Sequence, residues 1–158
     1  MLVNKIPLLV KIIATLIGSI TALCFPALLY YIAGLKNSLS LYVSDPNTAY
    51  IFNYSLIIIG LSLLIRRAYV LPSITLWIVV YFDVIQYPQF HNLVAGIFFI
   101  LLIFNIIRSR NYIYIIIMFL NLIILYYFGL YVFELIAIFI TTLYNLELTF
   151  MVAKREWN

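Results

Sequence analysis

Three side chains in this sequence carry groups suited to proton or cation chemistry: Asp83, His91 and Glu134. His91 is the chain's only histidine, and it shares with Asp83 the stretch YFDVIQYPQFHN, residues 81–92, set between two long apolar runs. A carboxylate beside an imidazole can bind a cation, shuttle a proton or act as a base. Glu134 joins them only if the chain folds back so that its height matches theirs. The same residues also have plainer uses, which carry more weight. His91 or Asn92 can cap the free amides of a following helix, and Lys36 can neutralise either acid.

Other chemistries lack their residues. One histidine excludes bis-histidine haem ligation, and no HxxxH or HExxH spacing is present for metal hydrolysis. Glycine-rich phosphate loops and a Ser-His-Asp set in recognisable context are missing, as is the regular series of charges a voltage sensor needs. No lysine lies mid-membrane in the final apolar run for a retinal Schiff base. The lone cysteine, Cys24, forms neither an intrachain disulfide nor a metal cluster. The expectation is no catalytic residue, no metal and no cofactor.

What must position these groups follows from composition. Of 158 residues, 67% are hydrophobic and 9% charged, with a mean hydropathy of +1.18; soluble domains run at roughly 45–50% apolar and 25% charged. That much hydrocarbon cannot be hidden from water in a chain of this size. The reading is all-α: a polytopic transmembrane helical bundle forming one domain over residues 1–158, with membrane lipids as partners, other membrane subunits as candidates, and no nucleic acid. Helices suit a cytoplasmic-type membrane, inner or plasma, better than an outer membrane. The basic start resembles a signal peptide, but its apolar run is too long for one and reads as a retained span.

A span takes roughly 20 apolar residues. Candidates are Ile6 to Ala33, Tyr50 to Ile65, Ala68 to Gln86 (ended by Tyr87-Pro88) and Leu93 to Ile107. From Tyr112 to Ala153 the chain stays apolar long enough for a helix of about 60 Å, twice the hydrocarbon thickness. It must therefore turn, and Gly129 is the place, because glycine takes positive φ freely. About six spans result. With the N-terminus inside, Lys5, Arg66, Arg67, Arg108, Arg110, Lys154 and Arg155 all fall on the cytoplasmic face, Lys11 lies nearest to it, and only Lys36 is outside. Both termini are then cytoplasmic, and Asp45, Asp83 and Glu134 lie toward the outer face.

Within the spans, Pro26 removes a backbone hydrogen bond to Ala22. Gly18 and Ala22 form a small-xxx-small pair suited to close packing inside the bundle, ahead of a dimer contact. Asn121 and Asn145 are placed to hydrogen-bond between the last two helices, and Glu147 to pair with Arg108 or Arg110.

Residues 83–99, DVIQYPQFHNLVAGIFF, resemble the Frag/DRAM/Sfk group of six-span membrane proteins and their prokaryotic relatives. The matching residues are Tyr87-Pro88, His91, Ala95, Phe98 and Phe99. The resemblance implies six spans with both ends inside and a link to lipid remodelling, and it supplies no substrate or catalytic set. The short loops and the missing cysteine-bearing outer loop depart from the larger relatives. Two functions stand together: a non-enzymatic protein, lipid-associated or an accessory subunit, and a proton- or cation-coupled carrier or enzyme built on Asp83, His91 and Glu134.

Overall fold

The computed structural model describes residues 7–65, 69–82, 84–108 and 111–157, the side chains of 152, 153 and 155–157 excepted. Six α-helices make up the bundle: α1 (Leu8–Ala33), α2 (Pro46–Leu64), α3 (Val70–Tyr81), α4 (Pro88–Arg108), α5 (Tyr112–Phe128) and α6 (Leu130–Trp157). A 3-10 turn, Leu39–Ser44, joins α1 to α2. No strand occurs among the described residues. Four helices, α1, α2, α4 and α6, are long and apolar enough to cross a membrane; α3 and α5 are apolar but shorter, with 12 and 17 residues.

Each helix packs on its neighbours in sequence, and α1 also packs on α6, which closes the six into a ring. Short connections make successive helices antiparallel. Gly18 of α1 meets Ser62 near the far end of α2, and Gly60 of α2 meets Trp77 of α3. Two buried clusters lie inside the ring. One, near the 3-10 turn, contains Phe25, Leu29, Tyr42, Phe52, Val94 and Tyr131; the other, toward the opposite end, contains Leu63, Leu102, Ile106, Met118 and Tyr144.

Polarity is distributed in the reverse of a soluble protein's. The periphery is apolar over its whole length, from Leu9 and Ile20 on α1 to Phe119 and Ile123 on α5. The buried set includes Thr15, Ser19, Ser55, Ser73, His91, Asn121, Thr141, Thr142, Asn145 and Thr149. Hydroxyls reach satisfaction within their own helices: Thr15 donates to the carbonyl of Lys11, Ser73 to Tyr69, Thr141 to Ala137 and Thr149 to Asn145, at 2.7–2.8 Å. Such a distribution suits a surface wetted by hydrocarbon rather than by water.

The expected breaks occur, with shifted edges. Gly129 separates α5 from α6 at φ 85, the left-handed backbone that favours glycine, and its amide closes α5 on the carbonyl of Leu125. The connection KNSLSLYVSDPNT is more ordered than a loop. Asp45 accepts from the amide of Asn47 at 2.9 Å and Pro46 occupies the first helical turn, so α2 starts at Pro46, before Tyr50. Likewise α4 starts at Pro88 instead of Leu93, since a proline in the first turn forfeits an amide that had no partner anyway. The third helix is shorter than Ala68 to Gln86. It ends at Tyr81 because Phe82 turns into extended backbone (φ −95, ψ 92) and residues 84–86 form a turn.

The small pair on α1 packs inside the ring. Gly18 and Ala22 are both buried, and a methyl group built on Gly18 would overlap Oγ and Cβ of Ser62. Gly18→Ala is therefore expected to push α1 off α2 and cost about 1–3 kcal/mol. Ser62→Gly in the same chain should return most of that loss, a non-additivity that thermal unfolding of the two single variants and the double would measure.

Candidate functional site

Two of the residues singled out for chemistry, His91 and Glu134, lie at the end of the bundle that carries the 3-10 turn, and there each takes a backbone group as partner. His91 lies in the first turns of α4, is 3% exposed, and has its Nδ1 at 2.7 Å from the carbonyl oxygen of Phe82. A carbonyl only accepts, so Nδ1 carries the proton and donates it; in the neutral ring the lone pair is left on Nε2. Phe82 sits directly past the end of α3, where carbonyls lose their helical partners. His91 thus caps the helix before its own. The expected role, capping the amides of α4, does not occur: α4 begins at Pro88, which already places His91 inside the helix, its amide bonded to the carbonyl of Tyr87 at 2.9 Å. Asn92 is exposed.

Glu134, one turn into α6, reaches across to the 3-10 turn, where its Oε2 accepts from the amide of Leu39 at 2.7 Å. That amide opens the turn and has no internal partner, so the carboxylate serves as a cap supplied from a distant helix. Behind it the turn is locked by Tyr42, fully buried, whose hydroxyl donates to the carbonyl of Gly34 and whose ring lies against that of Tyr131 at 6.3 Å. The hydroxyl of Thr48 donates to the carbonyl of Tyr42 at 2.7 Å. Lys36 does not meet Glu134. Its ammonium donates to the carbonyl of Leu41 at 3.3 Å and stands 5.3 Å from the Tyr42 ring centroid, a cation–π arrangement that keeps the charge on the loop.

Inside the ring, between these two caps and the middle of the helices, lies a cavity of about 130 Å³ lined by residues of α1, α2, α3, α4, α6 and the 3-10 turn. His91 and Glu134 both border it. Its walls are otherwise aliphatic and aromatic (Phe25, Phe52, Leu76, Phe98), with Thr15, Ser19, Ser62, Thr141, Thr142 and Asn145 farther along. The sequence places His91 and Glu134 at one height, and the structure brings them to one cavity. Asp83 lies outside the described residues, as do Lys5, Arg66, Arg67 and Arg110. Among the described residues, no three His, Cys, Asp or Glu side chains converge as a metal site would require.

The cavity itself is not legible in the sequence, because its hydroxyl lining comes from three helices far apart in the chain. The only hint is that Ser and Thr recur on α1 and α6 within otherwise aliphatic runs. Deeper in the bundle, Asn121 is fully buried and donates to the carbonyl of Phe133 at 3.0 Å, joining α5 to α6. The partner expected for it, Asn145, lies about 18 Å farther along α6 than Phe133, out of reach. Glu147 is exposed and forms no ion pair with Arg108.

No family model, no curated protein and no solved structure matches the chain. The resemblance of residues 83–99 to the Frag/DRAM/Sfk group therefore stands on those residues alone.

Because Glu134 acts as an acceptor for Leu39, charge and shape can be separated by substitution. Glu134→Ala should free the Leu39 amide and speed its hydrogen exchange by tenfold or more, matching a lost bond to a charged group of about 1.5–3 kcal/mol. Glu134→Gln, whose amide oxygen can still accept, should keep most of the protection.

Proposed function

We propose that this chain is a non-enzymatic six-span membrane protein, both termini cytoplasmic, that holds a lipid-like molecule inside its helix ring. The observation that carries the reading is the interior cavity: largely apolar walls, with a carboxylate and an imidazole at one end, inside a bundle whose outer surface is mostly apolar. Ligand sites in helical bundles commonly take this form, mostly apolar with a few convergent polar groups. Six crossings are favoured by the antiparallel order of six apolar helices and by charge. Lys11, Arg108 and Lys154 lie toward one end of the ring, and Lys36 toward the other. A cytoplasmic-type membrane, inner or plasma, agrees with helical spans.

The short helices fit the same reading. At about 1.5 Å per residue α3 covers about 18 Å, less than the hydrocarbon thickness of about 30 Å. Its crossing is completed by the chain that follows, non-helical at Phe82 and at residues 84–87, and irregular backbone at membrane depth is tolerated where protein satisfies it. His91 supplies that satisfaction at Phe82.

A second reading, a proton- or cation-coupled carrier using Asp83, His91 and Glu134, is favoured by one observation, the shared cavity of the latter two. An accessory role in a larger complex would show as a co-purifying protein.

Two measurements test the proposal. A reporter fused after Trp157 should read as cytoplasmic; an exported reading would overturn the six-span order. The full chain, purified gently and extracted, should release a tightly held lipid, and Thr142→Leu, which adds apolar bulk at the cavity wall, should lower the amount by half or more. Retention of nothing beyond bulk lipid would end the lipid-holding reading.

A further inference from the structure

The polar atoms of the cavity narrow the class of molecule it can hold, an inference that rests on the lipid-holding reading. Among the described residues that line it, Glu134 is the only one with a formal charge, and no lysine or arginine borders it. At the same end, Nδ1 of His91 donates to the carbonyl of Phe82, so only Nε2 is left to meet a guest. Farther along, Thr15, Ser62 and Thr141 have spent their hydroxyl protons on the carbonyls of Lys11, Ile59 and Ala137. Their oxygens remain as acceptors. A phosphate or carboxylate head could take neutral donors from the hydroxyls of Ser19, Ser40 and Thr142, but beside Glu134 it would face a carboxylate with no lysine or arginine among the described lining residues to match it. In a medium of low dielectric, that is a strong exclusion.

Size narrows the class further. A cavity of about 130 Å³ is comparable to the engineered apolar cavity of about 150 Å³ that admits benzene. It has room for a short length of one chain, about as much hydrocarbon as benzene, and none for the body of a two-chain lipid, so the rest of a longer chain would extend beyond it. Its lining runs from Glu134 to Asn145, about 16 Å along α6, so the site is long and narrow.

We infer that the cavity selects a single-chain amphiphile whose head donates hydrogen bonds and carries no negative charge, an ammonium or amino alcohol above all, seated between Glu134 and His91 with its chain directed toward Asn145.

Four probes that share a twelve-carbon chain test this on the full-length protein in phosphatidylcholine nanodiscs, compared at equal mole fraction in the bilayer by native mass spectrometry: dodecylamine, dodecanol, dodecanoate and dodecyl phosphate. The amine and the alcohol should bind saturably, and the two anions more weakly by about tenfold or more, the ratio one charge-assisted hydrogen bond supplies. Dodecyltrimethylammonium, which keeps the charge but has no N–H, should bind more weakly than dodecylamine. Glu134→Gln, which can still accept from Leu39 while presenting an NH₂ to the cavity, should narrow the gap between amine and dodecanoate to within about threefold. If that variant fails to fold, the ranking on the unaltered protein decides alone. Equal binding of all four probes, or a preference for the anions, overturns the headgroup inference and leaves lipid holding in place. Binding of none, with no lipid retained on purification, removes both.

Discussion

A helix that ends inside a packed bundle leaves carbonyls with no helical partner, and this bundle depends on how that is resolved at Phe82. The third helix stops after 12 residues, and the imidazole of α4 takes the freed carbonyl at 2.7 Å. The arrangement works because Pro88 starts α4 early and carries His91 back over the end of α3. Had the helix begun at Leu93, the ring would sit in the connecting turn with no fixed direction. The same logic operates one layer away, where Glu134 receives the amide of Leu39 and so fastens the loop between α1 and α2 to α6. Two side chains that look like chemistry in the sequence are therefore also the ties that join four segments at one end of the ring.

Those ties also explain why the interior is not filled. α1 is brought against α2 by Gly18 and against α6 along its length, while α4 and α3 are held together at their ends by the Phe82 bond. Close approach at the edges and small or hydroxyl-bearing residues at the centre leave a space bounded by Thr15, Ser19, Ala22, Thr141 and Thr142. Larger aliphatic residues there would pack more densely and, by removing buried methylene-sized voids, would each add on the order of 1 kcal/mol of stability. A bundle that carries threonines and serines on facing helices instead has forgone that packing, which is intelligible if something else occupies the space.

How far the sequence reveals this depends on the kind of force involved. Composition and periodicity report on hydrocarbon contact, so the helical class, the break at Gly129 and the crowding at Gly18 are visible from the letters. Helix edges are less visible, because they rest on local capping that competes with hydropathy: Asp45-Pro46 and Pro88 start their helices upstream of the first strongly apolar residue. Long-range pairings are not visible at all. Nothing near Glu134 indicates that its partner is the Leu39 amide, and the expected partner Lys36 is held instead by a carbonyl and a ring in its own loop. Asn121 shows the same limit. Its burial is foreseeable from its place in an apolar run, but its partner is set by the tight turn at Gly129, which aligns it with Phe133 rather than with the second asparagine.

The choice between holding a molecule and moving a proton can be argued from the bonds already made. A carrier needs its titrating groups to change partners on each cycle. Here Nδ1 of His91 and Oε2 of Glu134 are committed to backbone groups that have no other described partner, and releasing either one would strand a buried donor or acceptor at about 1–3 kcal/mol, more where a charge is involved. Releasing both would also loosen the end of α3 and the 3-10 turn, so each cycle would partly unfasten the ring. A site that keeps these bonds and offers only the remaining lone pairs to a guest avoids that cost. The static use of His91 and Glu134, as ties on one side and acceptors on the other, is the one their geometry favours.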